Sequence, residues 1–445
     1  MTRVLKIYNK LTACATGILS LLLKHRLNKG KEDAQRLSER MGEPTAPRPA
    51  GHLVWFHAAS VGEAQSVLIL LKTFRATFPD LKFLVTTGTV TSANLMQKRL
   101  PEWAIHQYYP LDHPKWVNRF LDHWRPDMAI WIESEIWPNM LMEIKNRQFP
   151  VALLNARMSQ KSFKRWSLVP NSARALLNVF DLLLAQTEND AKSYKLLGAR
   201  NVKITDSLKF AADPLPVDDN ELNRFDKALE TRIGWLYAST HDGEEDIAFK
   251  IHAELKANFP TMLTIVVPRD PSRADSIIAG AASYGLSLHQ RSRNAAPPDP
   301  ETDIYLADTF GDLGLFYKIS GLACIGRSFS TDGGGGHNPI EAAQLNCAVL
   351  HGPKVQNFEE IYKDMNKARA AVRCEDENEL KHTLARLFFN SDNIYHLQNS
   401  AHSYVTKKAA VLDVIMQEIE PLFVQTGFHC HPPEQRAADK KQACA

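Results

Sequence analysis

The chain lacks the sequence patterns of several common protein classes. Only six of its 445 residues are cysteine, and no two of them have C-x-x-C spacing, which predicts free thiols in a reducing compartment. No apolar run reaches the roughly 20 residues that a membrane-spanning helix needs. The formal net charge of +3 is too small to indicate a nucleic-acid partner. These absences leave a globular composition, with 44% hydrophobic and 23% charged residues.

The N-terminal segment is basic and partly apolar. The largely apolar run from Leu11 to Leu23 is too short to span a bilayer, and no small-residue cleavage site of a signal peptide follows it. We therefore expect residues 1–31 to anchor the protein on an anionic membrane surface through a short helix. A helix packed on the body of the protein is the alternative. No acid precedes Glu32, and the basic residues before it are Arg3, Lys6, Lys10, Lys24, Arg26, Lys29 and Lys31.

Short apolar runs alternate with amphipathic stretches along the rest of the chain. Leu53–His57 has the composition of a buried strand, and the segment from Glu63 to about Arg75 has the apolar spacing of a helix. Alternating strands and helices predict βα units and mostly parallel sheets, and the length of the chain favours two domains. We expect an α/β fold of two Rossmann-like, doubly wound lobes that face a central cleft. Ligands in such sheets bind beyond the carboxyl ends of the strands.

A proline-rich, acidic stretch separates the two series of strands. We predict an N-terminal lobe over residues 32–210, a linker over 211–220 and a C-terminal lobe over 221–422. A final helix near 404–419 is long enough to cross back over the first lobe. Residues 423–445 are expected to be a disordered tail. The tail contains His429-Cys430-His431, which could bind a metal but fits a disordered end better.

One motif of the first lobe offers a general base. Ser60 and Gly62 lie at the end of the first predicted strand, where glycine permits a tight turn. Glu63 then falls in the first turn of the following helix, and a carboxylate there can take a proton from a substrate hydroxyl. Glu63 could instead only complement the helix dipole.

Two other motifs of the first lobe place charged side chains where strands end. Glu133 and Glu135 follow an apolar strand and precede Pro138, which suits the start of a helix. They could hold a substrate or a cation, or serve only as caps and ion-pair partners. Lys209 lies just before the linker and could reach a leaving phosphate, although an isolated lysine is often merely solvated.

The second lobe carries the candidate donor site. Ser239, Thr240 and Glu244 join a strand to a helix, and Arg269 ends the next strand, where it could meet an anion or form a structural ion pair. A glycine-rich turn could allow close approach of a phosphate to a helix N-terminus, with the last residue binding ribose hydroxyls, or it could be a flexible loop. This turn runs from Gly333 through Gly336, His337, Asn338, Pro339 and Ile340 to Glu341.

Two further motifs are absent. No G-x-G-x-x-G follows the first predicted strand, which argues against a dehydrogenase. No Asp-x-Asp triplet of the kind that holds a metal–nucleotide complex occurs, so we expect no metal and no other cofactor. The pair Glu133-x-Glu135 is the one place where a cation could still bind.

Seven motifs in this order resemble the bacterial 3-deoxy-D-manno-octulosonic acid (Kdo) transferases of lipopolysaccharide synthesis. The resemblance covers roughly residues 3–422, including the basic N-terminal segment. The motifs are Ser60-Val-Gly-Glu63, Glu133-Ser-Glu-Ile-Trp-Pro-Asn139, Asn155-Ala-Arg-Met-Ser159, Ser207-Leu-Lys-Phe210, Ser239-Thr-His-Asp-Gly-Glu-Glu245, Val267-Pro-Arg269 and Gly336-His-Asn-Pro-Ile-Glu341.

The resemblance implies a GT-B fold and a specific reaction. That reaction is an inverting transfer of Kdo from CMP-Kdo to a lipid A precursor, lipid IVA, at the cytoplasmic face of the inner membrane. By the same resemblance Glu63 is the base, and Glu133 and Lys209 support the transition state. The implied CMP site consists of Pro268, Arg269, Phe310, Gly311, Asp312, Asn338, Pro339, Ile340 and Glu341.

The chain also departs from the family pattern beside the donor site. Arg327 stands where the family usually has a second glycine, and the loop up to Gly336 has extra glycines and Asp332. Donor identity is therefore the part of the function that the resemblance supports least. A GT-B transferase for another nucleotide sugar and a non-catalytic, membrane-associated binding protein remain the alternatives.

Overall fold

The computed structural model describes residues 1–428, which form two compact units. Unit 1 comprises Met1–Ala212 and the segment from Ala410 onward, and unit 2 comprises Asp213–Ala409. The chain therefore leaves unit 1 once and returns to it after unit 2 is complete.

Unit 1 is built on a parallel sheet. Strand β1 pairs with both β2 and β4, so the strand order reverses between β1 and β4. Ligands of doubly wound sheets bind at such a reversal, beyond the carboxyl ends of the strands. The strands of unit 1 are β1 (Leu53–Ala58), β2 (Lys82–Thr87), β3 (Ala104–Tyr108), β4 (Met128–Ile132), β5 (Val151–Ala156), β6 (Leu182–Ala185) and β7 (Val202–Ile204), in the order β3-β2-β1-β4-β5-β6-β7.

Unit 2 repeats this design. Strand β8 pairs in parallel with β9 and β12, which places a second reversal between β8 and β12. The strands of unit 2 are β8 (Gly234–Thr240), β9 (Leu263–Pro268), β10 (Leu288–Gln290), β11 (Ile304–Leu306), β12 (Leu322–Ile325), β13 (Ala348–His351) and β14 (Val372–Arg373), in the order β10-β11-β9-β8-β12-β13-β14. Two Rossmann-like, doubly wound units are what the alternation of strands and helices predicted.

Helices cover both sheets, as parallel sheets require. They are α1 (Arg3–Cys14), α2 (Thr16–Asn28), α3 (Val61–Thr77), α4 (Val90–Arg99), α5 (Pro114–Trp124), α6 (Pro138–Arg147), α7 (Gln160–Ser167), α8 (Pro170–Leu177), α9 (Glu188–Leu196), α10 (Asp219–Leu229), α11 (Glu244–Leu255), α12 (Ala274–Ser283), α13 (Leu313–Ser320), α14 (Ile340–Gln344), α15 (Glu359–Lys367), α16 (Glu377–Phe389), α17 (Ser391–Ala409) and α18 (Val411–Gln425). Short 3-10 turns lie at Leu37–Met41, Leu208–Ala211, Pro271–Arg273 and Gln356–Phe358.

Local sequence signals account for several helix ends. Thr89 and Ser92 form a reciprocal capping box at the start of α4. Thr187 accepts a hydrogen bond from the backbone N–H of Asp190 at the start of α9. Proline occupies the first position of α5 and α6, where its missing N–H has no cost. The strand-to-helix turns that carry candidate site residues thus have well-defined geometry.

The N-terminal segment forms two helices rather than one, because α1 ends and α2 begins around Ala15. Helix α1 packs on unit 1: Leu5 is buried, Tyr8 donates a hydrogen bond to Asp112, and Asn9 donates one to Asn139. Its outer side leaves apolar side chains exposed. Among residues 1–428, no helix is long and apolar enough to cross a membrane. The membrane-surface role therefore stays a prediction.

The C-terminal part also differs from the expected boundaries. Unit 2 ends at Ala409 rather than at residue 422, because α18 buries its apolar side in unit 1. Phe423 stacks on Phe78 with ring centroids 4.4 Å apart. The ordered chain continues beyond residue 423, since Phe428 is buried too. The sequence His429-Cys430-His431 lies outside the described residues.

Replacing Phe423 with alanine should destabilise unit 1 by about 3 kcal/mol, because the ring is fully buried against the rings of three other phenylalanines. Urea unfolding followed by tryptophan fluorescence measures this, since every tryptophan except Trp235 lies in unit 1. The matched control is Val424→Ala on the exposed side of α18, with little expected effect. Equal unfolding midpoints for the two variants would refute the packing argument.

Candidate active site

Glu63 is held at the carboxyl end of β1 by its own helix N-terminus. The Ala59 backbone N–H donates to one carboxylate oxygen (2.7 Å), and the Ser60 hydroxyl donates to the other (2.9 Å). Ser60 in turn accepts a hydrogen bond from the Glu63 backbone N–H. The side chain is only 7% exposed. A carboxylate locked in this way cannot swing into solvent, which suits a group that must act at one fixed point.

Burial raises the pKa of Glu63 to about 7, and the nearby carboxylates of Glu133 and Glu135 add to the rise. The hydrogen bonds from Ala59 and Ser60 act in the opposite direction. A general base works best when its pKa is close to the operating pH. The structure therefore favours the base interpretation of Glu63 over a role in complementing the helix dipole.

Glu133 and Glu135 lie at the carboxyl end of β4, the strand next to β1 in the sheet. Glu133 has a φ of +64°, a left-handed backbone conformation that is uncommon for residues other than glycine and concentrates at functional sites. Burial raises the pKa of both carboxyls. Glu135 accepts a hydrogen bond from the Trp137 indole N–H (2.6 Å), so its orientation is set by the ring.

Lys209 and Arg157 place positive charge beside Glu133. Both oppose the rise in the pKa of Glu133, and burial lowers the pKa of Lys209 while Glu133 acts against that change. The amide of Asn155 fixes the Lys209 turn, because its side-chain oxygen accepts a hydrogen bond from the Leu208 backbone N–H (3.0 Å). The structure thus brings Glu63, Glu133 and Lys209 to one sheet edge.

Arg157 is a candidate site residue to which the sequence analysis gave no role. It lies in the Asn155–Ser159 motif, directly after β5, and its backbone N–H donates to the Glu133 carbonyl (3.3 Å). The sequence places Arg157 at the end of a strand, and in the structure that strand, β5, pairs with β4. The sequence does not reveal which strands are neighbours, so it could not show that Arg157 lies beside Glu133.

In unit 2, Glu244 braces the loops that follow β8 and β12. Its buried carboxylate accepts hydrogen bonds from the backbone N–H groups of His241 (2.9 Å), Arg327 (2.7 Å) and Phe329 (2.9 Å). These bonds use most of its acceptor capacity, which favours a supporting role for Glu244.

Thr240 is also part of the support. It is fully buried and donates its hydroxyl proton to Glu245 (2.6 Å), which is held by Arg273 as well. Ser239 has a φ of +59° and lies where β8 turns toward α11. The turn is close-packed, because a Cβ at Gly326 would lie 2.4 Å from the Ser239 carbonyl oxygen.

Arg269, His337 and Glu341 are brought together beyond β9 and β12. The positive charge of Arg269 lowers the pKa of His337 and opposes the burial that raises the pKa of Glu341. Asn338 donates a side-chain hydrogen bond to Glu341 (3.0 Å) and accepts one from the Ile340 backbone N–H (3.2 Å). This group can bind an anion through Arg269 and hydroxyls through Glu341.

The remaining candidate donor residues have different surroundings. Phe310 is 83% exposed, as a ring that stacks on a nucleobase would be, and Gly311 next to it has a φ of +100°. Asp312 pairs with Arg291 (2.9 Å), which favours a structural role for that carboxylate. Pro268 is the buried last residue of β9, Pro339 is the buried cap residue of α14, and Ile340 is fully buried.

The glycine-rich turn differs from the expected phosphate-binding helix start in one respect. Helix α14 spans only Ile340–Gln344, so little dipole field adds up at its N-terminus. The turn itself is tight: Gly335 and Gly336 both have positive φ, and a Cβ at Gly335 would lie 2.4 Å from the Asn357 side chain. Side-chain charge, rather than the helix, must supply most of the attraction for an anion.

The two departures from the family pattern contact each other. Arg327 has a φ of +60°, the left-handed region that favours the glycine usual in the family. Its guanidinium Nε lies 3.3 Å from the Asp332 carboxylate. Asp332 also contacts His241 (3.0 Å), a residue that the sequence analysis quoted in a motif without assigning a role. The departures therefore form one charged cluster with a histidine.

Within residues 1–428, no group of three or more histidine, cysteine, aspartate or glutamate side chains is arranged to hold a metal ion. Glu133 and Glu135, the pair that could have bound a cation, belong to no such group. The expectation that catalysis needs no metal and no other cofactor stays a prediction.

Comparison with solved structures agrees with the architecture. A glycosyltransferase from Rickettsia africae ESF-5 covers 84% of this chain and 99% of its own, with a TM-score of 0.56 and 12% identity, which shows the fold alone. The C-terminal CMP-Kdo binding domain of WaaA from Acinetobacter baumannii is 28% identical over 41% of this chain and 95% of that domain, with a TM-score of 0.40. The two Rossmann-like units have the architecture of the GT-B fold class.

Sequence comparison gives the family. Residues 35–212 match the family described as 3-Deoxy-D-manno-octulosonic-acid transferase (kdotransferase). The 3-deoxy-D-manno-octulosonic acid transferase of Rickettsia bellii (strain RML369-C) is 33% identical over 422 residues, which are 94% of this chain and 100% of the relative. The chain belongs to the 3-deoxy-D-manno-octulosonic acid transferase family, as the motifs indicated.

Ionisation of Glu63 should lower the free energy of unfolding, compared with the protein in which Glu63 is protonated. Its folded-state pKa of about 7 lies above the ordinary 4.5, so the fold prefers the protonated form, and this stabilisation is lost as the pH rises from about 4.5 to 7. The loss amounts to roughly 3 kcal/mol at most. Between pH 5 and pH 8, the unfolding free energy should therefore fall more for the wild type than for Glu63→Gln.

Urea unfolding of both proteins at the two pH values measures this difference. Glu102→Gln is the matched control, because Glu102 is an exposed acid of the same unit. The control should follow the wild type at both pH values. If Glu63→Gln has the same pH dependence as the wild type, the raised pKa is wrong.

Proposed function

We propose that this protein transfers Kdo from CMP-Kdo to a hydroxyl of a lipid A precursor, lipid IVA, with inversion at the anomeric carbon, in lipopolysaccharide biosynthesis. Family membership supports the Kdo transfer. The observation that carries the mechanism is Glu63, a buried carboxyl with a pKa of about 7 at the carboxyl end of β1. We further propose that neither a metal nor another cofactor takes part.

In the proposed reaction Glu63 takes the proton of the acceptor hydroxyl. The hydroxyl oxygen forms a bond to the anomeric carbon of Kdo, and the bond from that carbon to the phosphate oxygen breaks. CMP departs with the electron pair of the broken bond, so negative charge grows on its phosphate. One base and one group that stabilises the leaving phosphate are sufficient for this displacement.

Lys209 is the proposed partner of the growing negative charge. Its position is set by the turn that Asn155 holds, and its charge interacts with that of Glu133. Burial lowers the pKa of Lys209, and the negative charge of Glu133 acts against that change and so favours the ammonium form. We therefore assign Glu133 the role of keeping Lys209 charged, with Arg157 as a second cation at the same sheet edge.

Donor recognition is assigned to unit 2. Arg269 supplies positive charge for the phosphate, and Glu341, oriented by Asn338, supplies an acceptor for ribose hydroxyls. The exposed Phe310 ring offers a surface on which the cytosine could stack. The other residues of the CMP site shape the backbone of these turns.

We propose that the protein works on the cytoplasmic face of the inner membrane. Helices α1 and α2 expose Ile7, Leu11, Ile18 and Leu21, each between 58% and 73%, and basic residues flank them without an acid before Glu32. Exposed apolar side chains combined with positive charge suit an anionic lipid surface. A lipid acceptor would reach the site from that surface.

Kdo transfer is tested with freshly generated CMP-Kdo and lipid IVA, and the product is read by mass spectrometry. Wild-type protein should add one Kdo mass or a multiple of it. Glu63→Gln should reduce the turnover at least 1,000-fold while binding CMP-Kdo nearly as well, because the base acts on the acceptor. The wild-type rate should rise with pH up to about 7, as Glu63 ionises.

Glu102→Gln is the control and should retain full activity, because Glu102 lies exposed on the surface. Full activity of Glu63→Gln would refute the proposal that Glu63 is the base. No product from folded wild-type protein would favour another nucleotide sugar, or a binding function without catalysis.

Membrane binding is tested by replacing two exposed leucines. Leu11→Ser combined with Leu21→Ser should weaken binding to vesicles with anionic lipid at least tenfold, because two apolar side chains no longer enter the lipid. Point changes are preferable to deletion, because α1 also packs on unit 1 through Leu5.

Vesicle sedimentation measures the effect. Leu168→Ser combined with Leu196→Ser is the matched control. These two leucines are at least as exposed as Leu11 and Leu21, but Leu168 lies at the end of α7 and Leu196 lies in α9. Its binding should equal that of the wild type. Equal loss in the two double variants would contradict the assignment of the membrane surface to α1 and α2.

A further inference from the structure

His241 and His337 form a pair of imidazole rings in unit 2. Their Nε2 atoms lie 3.0 Å apart, and their ring centroids are 5.2 Å apart. Two ring nitrogens at this distance must share one proton, with one nitrogen donating and the other accepting. The protonation of the two rings is therefore coupled.

Asp332 determines which nitrogens carry protons. Its carboxylate accepts hydrogen bonds from the Ser330 hydroxyl (2.6 Å) and the Gly334 backbone N–H (3.1 Å), which together with Arg327 hold its pKa at about 2. It is thus ionised and can only accept a hydrogen bond, which His241 Nδ1–H donates over 3.0 Å. When both rings are neutral, His241 Nε2 has no proton, so His337 Nε2–H donates to it and His337 Nδ1 has no proton.

Positive charge around the pair opposes a second proton. Burial, followed by the positive charges of a protonated His241, of Arg269 and of Arg327, lowers the pKa of His337 to about 4, while Asp332 acts against them. Two other carboxylates near these turns are engaged elsewhere: Glu244 by backbone N–H groups and Glu341 by Asn338. The pair therefore lies among cations that disfavour a further proton on His337.

We propose that His241 and His337, held in one tautomeric arrangement by Asp332, form a proton-linked receptor for the phosphodiester anion of the donor. This inference rests on the proposed function, because it takes the anion to be that of CMP-Kdo. An anion bound beside Arg269 and His337 would offset the cationic charge, and His337 Nδ1 would then gain a proton. Asp332 acts as a positioning residue, since it reaches the anion only through His241.

The sign of the pH effect follows from linkage. If the anion raises the proton affinity of His337, the complex binds more protons than the free protein, so affinity for the anion falls as pH rises. With His337 in the complex near the ordinary histidine value of about 6.5, binding at pH 6 should take up roughly half a proton or more. Affinity should drop roughly 25-fold between pH 5 and pH 7.5.

The probe is the methyl ester of CMP, whose phosphodiester keeps a single negative charge over this range. At pH 6 its cytosine ring is almost entirely unprotonated, so the probe adds little titration of its own there. Its binding to the full chain is measured by isothermal calorimetry at pH 6 in buffers of different ionisation enthalpy, which counts the protons taken up. Wild-type protein should show the uptake, whereas His337→Gln and Asp332→Asn should lose most of it together with most of the pH dependence.

Asp242→Asn is the matched control. It removes the same charge next to His241 in the chain, but Asp242 is 93% exposed and pairs with Arg273 instead of a histidine. The control should keep the wild-type uptake. Loss of uptake in Asp242→Asn as large as in Asp332→Asn would show a general charge effect and overturn the role of Asp332.

The outcomes separate this inference from the proposed function. Binding of the ester without proton uptake, or uptake that persists in His337→Gln, overturns the receptor and leaves Kdo transfer intact. Failure of folded wild-type protein to bind the ester overturns both the receptor and CMP-Kdo as the donor, and the uridine analogue then tests another nucleotide.

Discussion

Parallel strands all end at the same edge of a sheet, and the candidate chemistry of this protein depends on that constraint. In unit 1, the residues after β1, β4 and β5 come from distant parts of the chain, yet the strand order places Glu63, Glu133 and Arg157 side by side. In unit 2 the same constraint gathers His241, Arg269 and Arg327 beyond β8, β9 and β12. Each group stands where the strand order reverses, which is where doubly wound sheets leave room for a ligand.

The two units share one local structural feature, which has a different role in each. In both, a glutamate in the first helical turn after the first strand receives hydrogen bonds from the preceding loop: Glu63 in unit 1 and Glu244 in unit 2. Burial, with help from the nearby carboxylates, raises the pKa of Glu63 to about 7 even though its two hydrogen bonds act in the opposite direction. Glu244 receives three backbone N–H groups and joins two loops. The same arrangement thus holds a candidate base in unit 1 and connects two loops in unit 2.

The loop beside the donor site shows how departures from a family pattern can depend on each other. Arg327 has a left-handed backbone conformation, which glycine adopts without steric cost. Its guanidinium forms an ion pair with Asp332, and the Asp332 carboxylate also lies within hydrogen-bond distance of His241 Nδ1. Either residue alone would add an unpaired charge to this loop. Together they form an ion pair, so the two departures add no net charge beside His241.

Much of the protein was determined by its sequence alone. Alternating apolar runs and helical spacing predicted two α/β units, and the strand-to-helix turns placed Glu63, Glu133, Lys209 and Arg269 at strand ends, because these signals are local. Short strands such as β3, β10 and β14 escaped prediction, since few apolar residues mark them. Only the tertiary structure decided that α18 belongs to unit 1, that Arg157 stands beside Glu133, and that His241 meets His337 and Asp332. Those contacts join residues far apart in the chain, and burial and strand order, rather than local pattern, determine which of them meet.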